Sequence, residues 1–262
     1  LNVHKQTRQE NEMAKNETTA TLHIDPLKQG RVKMRIIGST PMFFNAMSAK
    51  AKRSLLLGGG KKTAAEKKEI KHDPEAEFRD STYRSQSGPT LLVFPAPGIK
   101  NAMATAALVT DGVKKTDVQR LIFLPQEKVS IWGRPYLRMD VVRSADMNKT
   151  PDVRTRAFLP RWCAEVDFAF VTPSLSVHSI ASLLANAGLV SGIGDFRQEK
   201  GKGSYGTFRI VSDEDDEALW KELTESEGRE CQEAAMADPH AFDSETQELW
   251  AMLRQERMRR AA

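Results

Sequence analysis

The chain has 262 residues, 40% of them hydrophobic, enough to bury one good core rather than two equal domains. No stretch of about 18 apolar residues could cross a bilayer, and Cys163 and Cys231 lie too far apart, with no C-x-x-C, to suggest a zinc site or a disulfide framework. The net charge of +4 hides an asymmetry: residues 31–160 hold 24 Lys+Arg against 12 Asp+Glu, whereas residues 213–250 hold 2 against 14. A basic body of this kind suits a polyanionic partner.

Residues 1–29 read as an N-terminal extension. They are polar, lack an apolar signal core, and carry Met13 just before Ala14-Lys15-Asn16. With no export signal and two thiols, a cytoplasmic home is expected.

From Gly30 to Gly38 cations alternate with apolar residues, as in a strand with one solvated and one core face. Pro41 ends it and redirects Met42-Phe43-Phe44. Phe43 and Phe44 could stack on bases or pack beneath the next segment, and both readings stay open. Residues 46–90 turn polar and lysine-rich around Gly58-Gly59-Gly60, an insertion that is either a nucleic-acid arm or a solvated surface. Phe78 and Tyr83 tie it back to the body.

Ile99 to Val109 predicts a helix, with Pro97 at its start and Ile99, Met103, Ala106 and Ala107 on one side. Leu121–Leu124, Val129–Trp132 and Leu137–Val142 are short strand candidates in a second, hairpin-rich insertion at about 111–160. Arg154, Arg156 and Arg161 beside Phe158 and Trp162 then offer charge for phosphates and flat faces for bases. A buried strand from Ala164 to Val171 and a helix from Ser174 to Ala187 follow.

Next comes the glycine-rich run Ala187 to Arg197, continued by Lys200-Gly201-Lys202-Gly203-Ser204-Tyr205-Gly206, before a strand at Tyr205–Val211. Gly201, Gly203 and Gly206 match G-x-G-x-x-G by letter. A dinucleotide loop, however, runs from strand to helix, so that amides at the helix N-terminus face phosphate. Here the order is helix to strand, and no cofactor is expected. The glycines either admit a ligand close to the backbone or serve helix–sheet packing. Residues 213–262 form an acidic tail with helical stretches at Asp213–Glu233 and Ser244–Arg260.

The predicted order is β-α-β-β-α-β: an α+β, ferredoxin-like or RRM-like core over residues 30–212, with long insertions and a C-terminal helical tail. Arg154-Thr155-Arg156, Trp162, the run Ala187–Arg197 and Tyr205-Gly206-Thr207-Phe208 resemble phage- and prophage-borne proteins related to the RAMP superfamily, which includes guide-RNA-binding backbone subunits of CRISPR complexes. The resemblance implies RNA contacts through phosphates and stacking, and head-to-tail polymerisation along a strand. The His-based site of RNA-processing members has no counterpart, since His178 lies within the second helix.

The expectation is a non-enzymatic binder of single-stranded RNA or DNA, acting as a homo-oligomer or as a subunit of a larger ribonucleoprotein. Lys100, Arg154, Arg156, Arg161, Arg197, Lys200 and Lys202 would hold phosphates, Phe43, Phe158 and Trp162 would stack, and Gly192 and Gly194 would allow close backbone approach. The acidic tail would join a neighbour or mask its own groove. The alternatives are a phage single-stranded DNA annealing protein and an interaction protein that mimics a CRISPR subunit. For an RNase, His178 or His72 would have to serve as base, and no acid, base and stabiliser converge in the sequence.

Overall fold

The computed structural model describes residues 25–58, 71–143, 150–200 and 203–261. Its main sheet is built on β1 (Lys28–Gly38), whose alternation carries through ten paired positions antiparallel to β8 (Cys163–Thr172). β9 (Phe208–Ile210) adds to the far edge of β1, and β5 (Lys128–Trp132) and the two-residue β4 (Ile122–Phe123) pair with β8. β3 (Val93–Pro95) extends the sheet beyond β5. The order β5-β8-β1-β9 is the antiparallel arrangement of a split β-α-β core, so the α+β, RRM-like class is the observed one.

Two helices cover one face. α3 (Ala96–Ala106) starts three residues earlier than its periodicity suggests and ends in a 3-10 turn at Ala107–Val109. α5 (Val177–Val190) starts three residues late, because Ser176 caps it in a reciprocal capping box with Ser179. Beneath them, Val166, Phe168 and Phe170 of β8 join Met34 and Ile36 of β1, Ile99 and Met103 of α3, and Ile180, Leu183 and Leu184 of α5 in one buried core. A seven-residue helix, α4 (Lys115–Leu121), runs into β4, where the sequence suggested only a strand.

A second sheet holds β2 (Met42–Phe43), β7 (Pro151–Leu159) and β6 (Tyr136–Arg143). β6 and β7 pair antiparallel, with Tyr136 opposite Phe158 and Arg143 opposite Pro151, whereas the strands at 122–123 and 128–132 expected in the same insertion belong to the main sheet. The first insertion contributes α1 (Ala49–Leu57), none of whose residues is buried, and α2 (Pro74–Asp80), which plants Phe78 in the core.

The tail folds as helices α6 (Glu214–Ser226), α7 (Arg229–Ala237) and α8 (Ser244–Ala261). Glu214, Asp215, Asp216 and Glu217 occupy the first turn of α6, where carboxylates suit the positive end of the helix dipole. α7 is fixed by Gln232, fully buried and fully used: its Oε1 accepts from the backbone N–H of Leu91 and Leu92 (both 2.9 Å), and its Nε2 donates to the carbonyl of Ile131 (2.8 Å). A buried amide costs little when each of its groups is paired in this way. Among the described residues no helix is long and apolar enough to cross a membrane.

Candidate nucleic-acid interface

The glycine-rich loop connects α5 to β9 and is folded onto the protein itself. Ile193 N–H donates to the Gly206 carbonyl (2.9 Å), Gly206 N–H to Pro41 (2.8 Å), and Asp195 N–H to Phe43 (3.0 Å). Gly206 has φ +72°, and an added Cβ would fall 1.7 Å from the Ile193 carbonyl oxygen; Gly192, at φ +69°, would press on the Gly206 carbonyl at 2.8 Å. At Gly194 the added Cβ would meet the Phe43 carbonyl at 2.6 Å. The close approach that these glycines permit is therefore backbone against backbone, and the proposed contact of Gly192 and Gly194 with a ligand backbone is corrected on that geometry.

The three sequence-proposed stacking rings have no free face. Trp162 is 0% exposed and its Nε1–H donates to the Thr40 carbonyl at 2.9 Å. Phe43 and Phe158 are buried against each other, with ring centroids 4.8 Å apart. All three are packing residues, since a base needs an exposed ring.

Several proposed phosphate cations are likewise engaged. Arg156, 2% exposed, lies between the rings of Phe43 and Phe196 (4.5 and 4.4 Å) and donates to Asp195 (2.8 Å) and Asp140 (3.0 Å). Such a guanidinium fastens β7 to the glycine-rich loop and β6; it is not available to a phosphate. Arg161 donates to Glu222 and Glu227, each at 2.7 Å, and the Glu222 hydrogen bond, which outweighs burial, raises its pKa. Arg154 is exposed on β7. Lys200 ends a short 3-10 turn, Gln198–Lys200, and Lys202 lies outside the described residues.

The outer face of the main sheet, which RRM modules use for stacking, carries charge instead. Arg31 pairs with Asp167 (2.9 Å) and Lys33 with Glu165 (3.2 Å) across β1 and β8. At its end α6 covers the sheet: Leu223, Leu219 and Trp220 pack with Ile37, Cys163 and Trp132. Glu217 takes Arg35, and the buried Asp216 takes the Arg209 Nε–H at 2.8 Å. The acidic tail neutralises its own body at this face.

One open surface among the described residues is the flank formed by α3, α4 and the loop. Gly98, Asn101, Ala102 and Thr105 follow the i, i+3, i+4, i+7 spacing of one helical face, beside the core-facing Ile99 and Met103 and with Ala102 at the core's edge. They are small or polar, so they leave room. With Lys115 and Gln119 of α4 and Gly192, Arg197 and Glu199 of the loop, they line a cavity of about 360 Å³. Arg197 is held there by the Gly194 carbonyl (3.1 Å) and Glu199 (3.0 Å).

Beside it, the Lys100 ammonium sits 5.5 Å from the centroid of the Phe123 ring, which is 44% exposed. Lys114, Lys115 and Arg120 are exposed as well and make no ion pair among the described residues. Of the expected set, Gly192 and Arg197 line this cavity and Lys100 neighbours the lining residue Asn101 on α3, whereas Phe43 and Arg156 are packed against the loop at 194–196 and Phe158, Arg161 and Trp162 are engaged elsewhere. Sequence reasoning missed Asn101, Lys115, Gln119 and Phe123. The polar stripe on α3 was a readable signal; Phe123, in a two-residue strand, left none.

No family model matches the sequence, and no curated protein matches it. Among solved structures, a chain of the cryo-EM structure of the type III-B Cmr-beta bound to cognate target RNA matches with 12% identity and a TM-score of 0.38, covering 79% of this chain and 66% of that chain. This chain thus spans just under two thirds of that neighbour's length, and the α+β architecture stated above is read from its own strand order.

Proposed function

We propose that this chain binds single-stranded nucleic acid on the flank formed by α3, α4 and the glycine-rich loop, without catalysing a reaction. One observation carries the reading: an exposed aromatic ring, Phe123, lies under a cation, Lys100, on a flank that also carries Lys114, Lys115 and Arg120, which make no ion pair among the described residues. Sequence-tolerant strand binding needs both parts, a ring on which any base can stack and charge that follows the phosphates. Elsewhere among the described residues the rings of the expected site are buried and Arg156 and Arg161 are matched by carboxylates, which favours this flank as a surface suited to a polyanion.

RNA is the first polymer to test, as the resemblance of the glycine-rich run to guide-RNA-binding subunits implies. Kinship with the RAMP superfamily, a phage-borne origin, and assembly of several copies along one strand, each covering a few nucleotides, belong to the same proposal. Lys200 and Lys202 would extend the basic track from the loop, and Arg154 is a further phosphate candidate.

The test is fluorescence anisotropy of labelled 20-nucleotide RNA and DNA against the full chain at low salt, with particle size followed in parallel. Binding that weakens steeply with salt supports the reading, and a higher affinity for DNA moves it to strand annealing. No binding of either polymer at low salt overturns it and favours the interaction-protein alternative.

A further inference from the structure

The cavity beside this flank has the size and chemistry of a pocket for one nucleobase. Its volume of about 360 Å³ falls in the range of small-ligand sites, roughly 300–1,000 Å³. Its lining is neither an apolar core defect nor a plain phosphate cradle. It combines two primary amides, Asn101 and Gln119, the Lys115 ammonium, and a carboxylate, Glu199, whose charge is partly met by Arg197 in the same lining. Each amide offers two N–H donors and one carbonyl acceptor, whereas a carboxylate only accepts, at about four lone-pair positions. The combination suits the edge of a base better than a phosphate, which Glu199 repels.

The state of Glu199 narrows the choice. Its Oε2 receives Arg197 at 3.0 Å and the Ser191 hydroxyl at 3.4 Å, while Oε1 receives only the long Thr105 hydroxyl contact at 3.4 Å among the described residues. Arg197 therefore fixes the orientation of the carboxylate and leaves acceptor capacity on the oxygen nearer α3. A fixed carboxylate with spare acceptor capacity selects a partner that offers two adjacent N–H groups. Guanine alone among the common bases does so on its Watson–Crick edge, through N1–H and the N2 amino group. Cytosine and adenine offer one amino group each, and uracil a single imide N–H.

We infer that this cavity takes one unstacked guanine of the bound strand, with Glu199 Oε1 accepting from N1–H and N2–H in place of the long Thr105 contact, Asn101 and Gln119 meeting the remaining polar atoms, and Lys115 on the adjoining phosphate. The inference rests on the nucleic-acid reading above and adds base selectivity to a surface otherwise indifferent to sequence. Fixed side chains at the mouth of a strand-binding surface read single-stranded RNA in this way, by hydrogen bonds to splayed bases.

The test uses a fluorescent U12 oligonucleotide with a single central guest base, A, C, G or U, titrated with the full chain. The guanine guest is expected to bind about tenfold tighter than the others, the order expected of a well-formed two-bond base contact. Glu199→Gln, which keeps the shape but replaces one acceptor oxygen by an amide donor, is expected to abolish that preference. Gln119→Ala, on an exposed helix position, should reduce the preference without altering the melting temperature. Equal affinity for all four guests, or a preference that survives Glu199→Gln, overturns the pocket assignment while leaving strand binding intact. Failure of every oligonucleotide to bind overturns the strand-binding reading itself.

Discussion

Replacing Lys100 and Lys115 by Ala removes two cations of the α3–α4 flank, one half-buried and one exposed; neither side chain is in the core and neither pairs with a carboxylate among the described residues. For single strands each phosphate contact contributes about 0.7 to the slope of log K against log salt. The double substitution should therefore lower that slope by about 1.4. If binding at 1 M salt is unchanged, it should weaken affinity at 0.1 M by about fivefold per contact, roughly 25-fold in all. The control is Arg161→Ala, whose guanidinium is already held by Glu222 and Glu227 at 2.7 Å, and which should leave the slope unchanged. Anisotropy titrations between 50 mM and 400 mM salt measure both. An unchanged slope in the double variant alongside a reduced one for Arg161→Ala would refute the placement of the interface and return it to the arginine cluster.

Trp162→Phe removes the Nε1–H bond to Thr40 and leaves a gap beneath Gly38, so it should lower unfolding free energy by about 2 kcal/mol in urea melts while leaving strand affinity intact. Lost affinity with unchanged stability would make Trp162 a stacking residue after all. Gly206→Ala places a Cβ against the Ile193 carbonyl in a left-handed backbone; the conformation alone costs about 1–2 kcal/mol, so the denaturation midpoint should fall by more than that implies. Burial pushes the Cys163 thiol up to about 12, whereas Cys231 is half-buried and raised less. At pH 8 a thiol reagent should label Cys231 slowly and Cys163 only on unfolding, and labelling of both thiols in the native protein would contradict the packing under α6.

The fold was legible where the local pattern carried it. The cation–apolar alternation from Arg31 to Ile37 marks a strand with one wet face, the apolar spacing through Ile180, Leu183 and Leu184 marks a helix, and the glycine-rich run between a helix and a strand is recognisable from its order. The site was less legible, because its meaning depends on partners distant in sequence. Arg156 reads as a free cation until Asp195, 39 residues on, folds against it. Arg161 reads so until Glu222 and Glu227 arrive 61 and 66 residues later.

Rings posed the same problem. Phe158 and Trp162 gather in the sequence with arginines and, with Phe43, suggest stacking, yet the fold buries all three. Phe123 stands alone in a segment that reads as a strand, and only the turn of α4 into β4 leaves its ring outside, with Lys100 above it. The unequal charge of the two halves was visible from composition. That α6 would spend part of its acid on Arg35, Arg161 and Arg209 of the same chain required the structure.

Photo-cross-linking addresses the central claim most directly: a 4-thiouridine RNA bound to the full chain is irradiated, and the attached peptides are mapped by mass spectrometry. Cross-links concentrated between Gly98 and Phe123 and on the loop around Arg197 are the predicted result. Cross-links confined to the outer face of β1 and β8, or to the segment from Arg154 to Trp162, would contradict it.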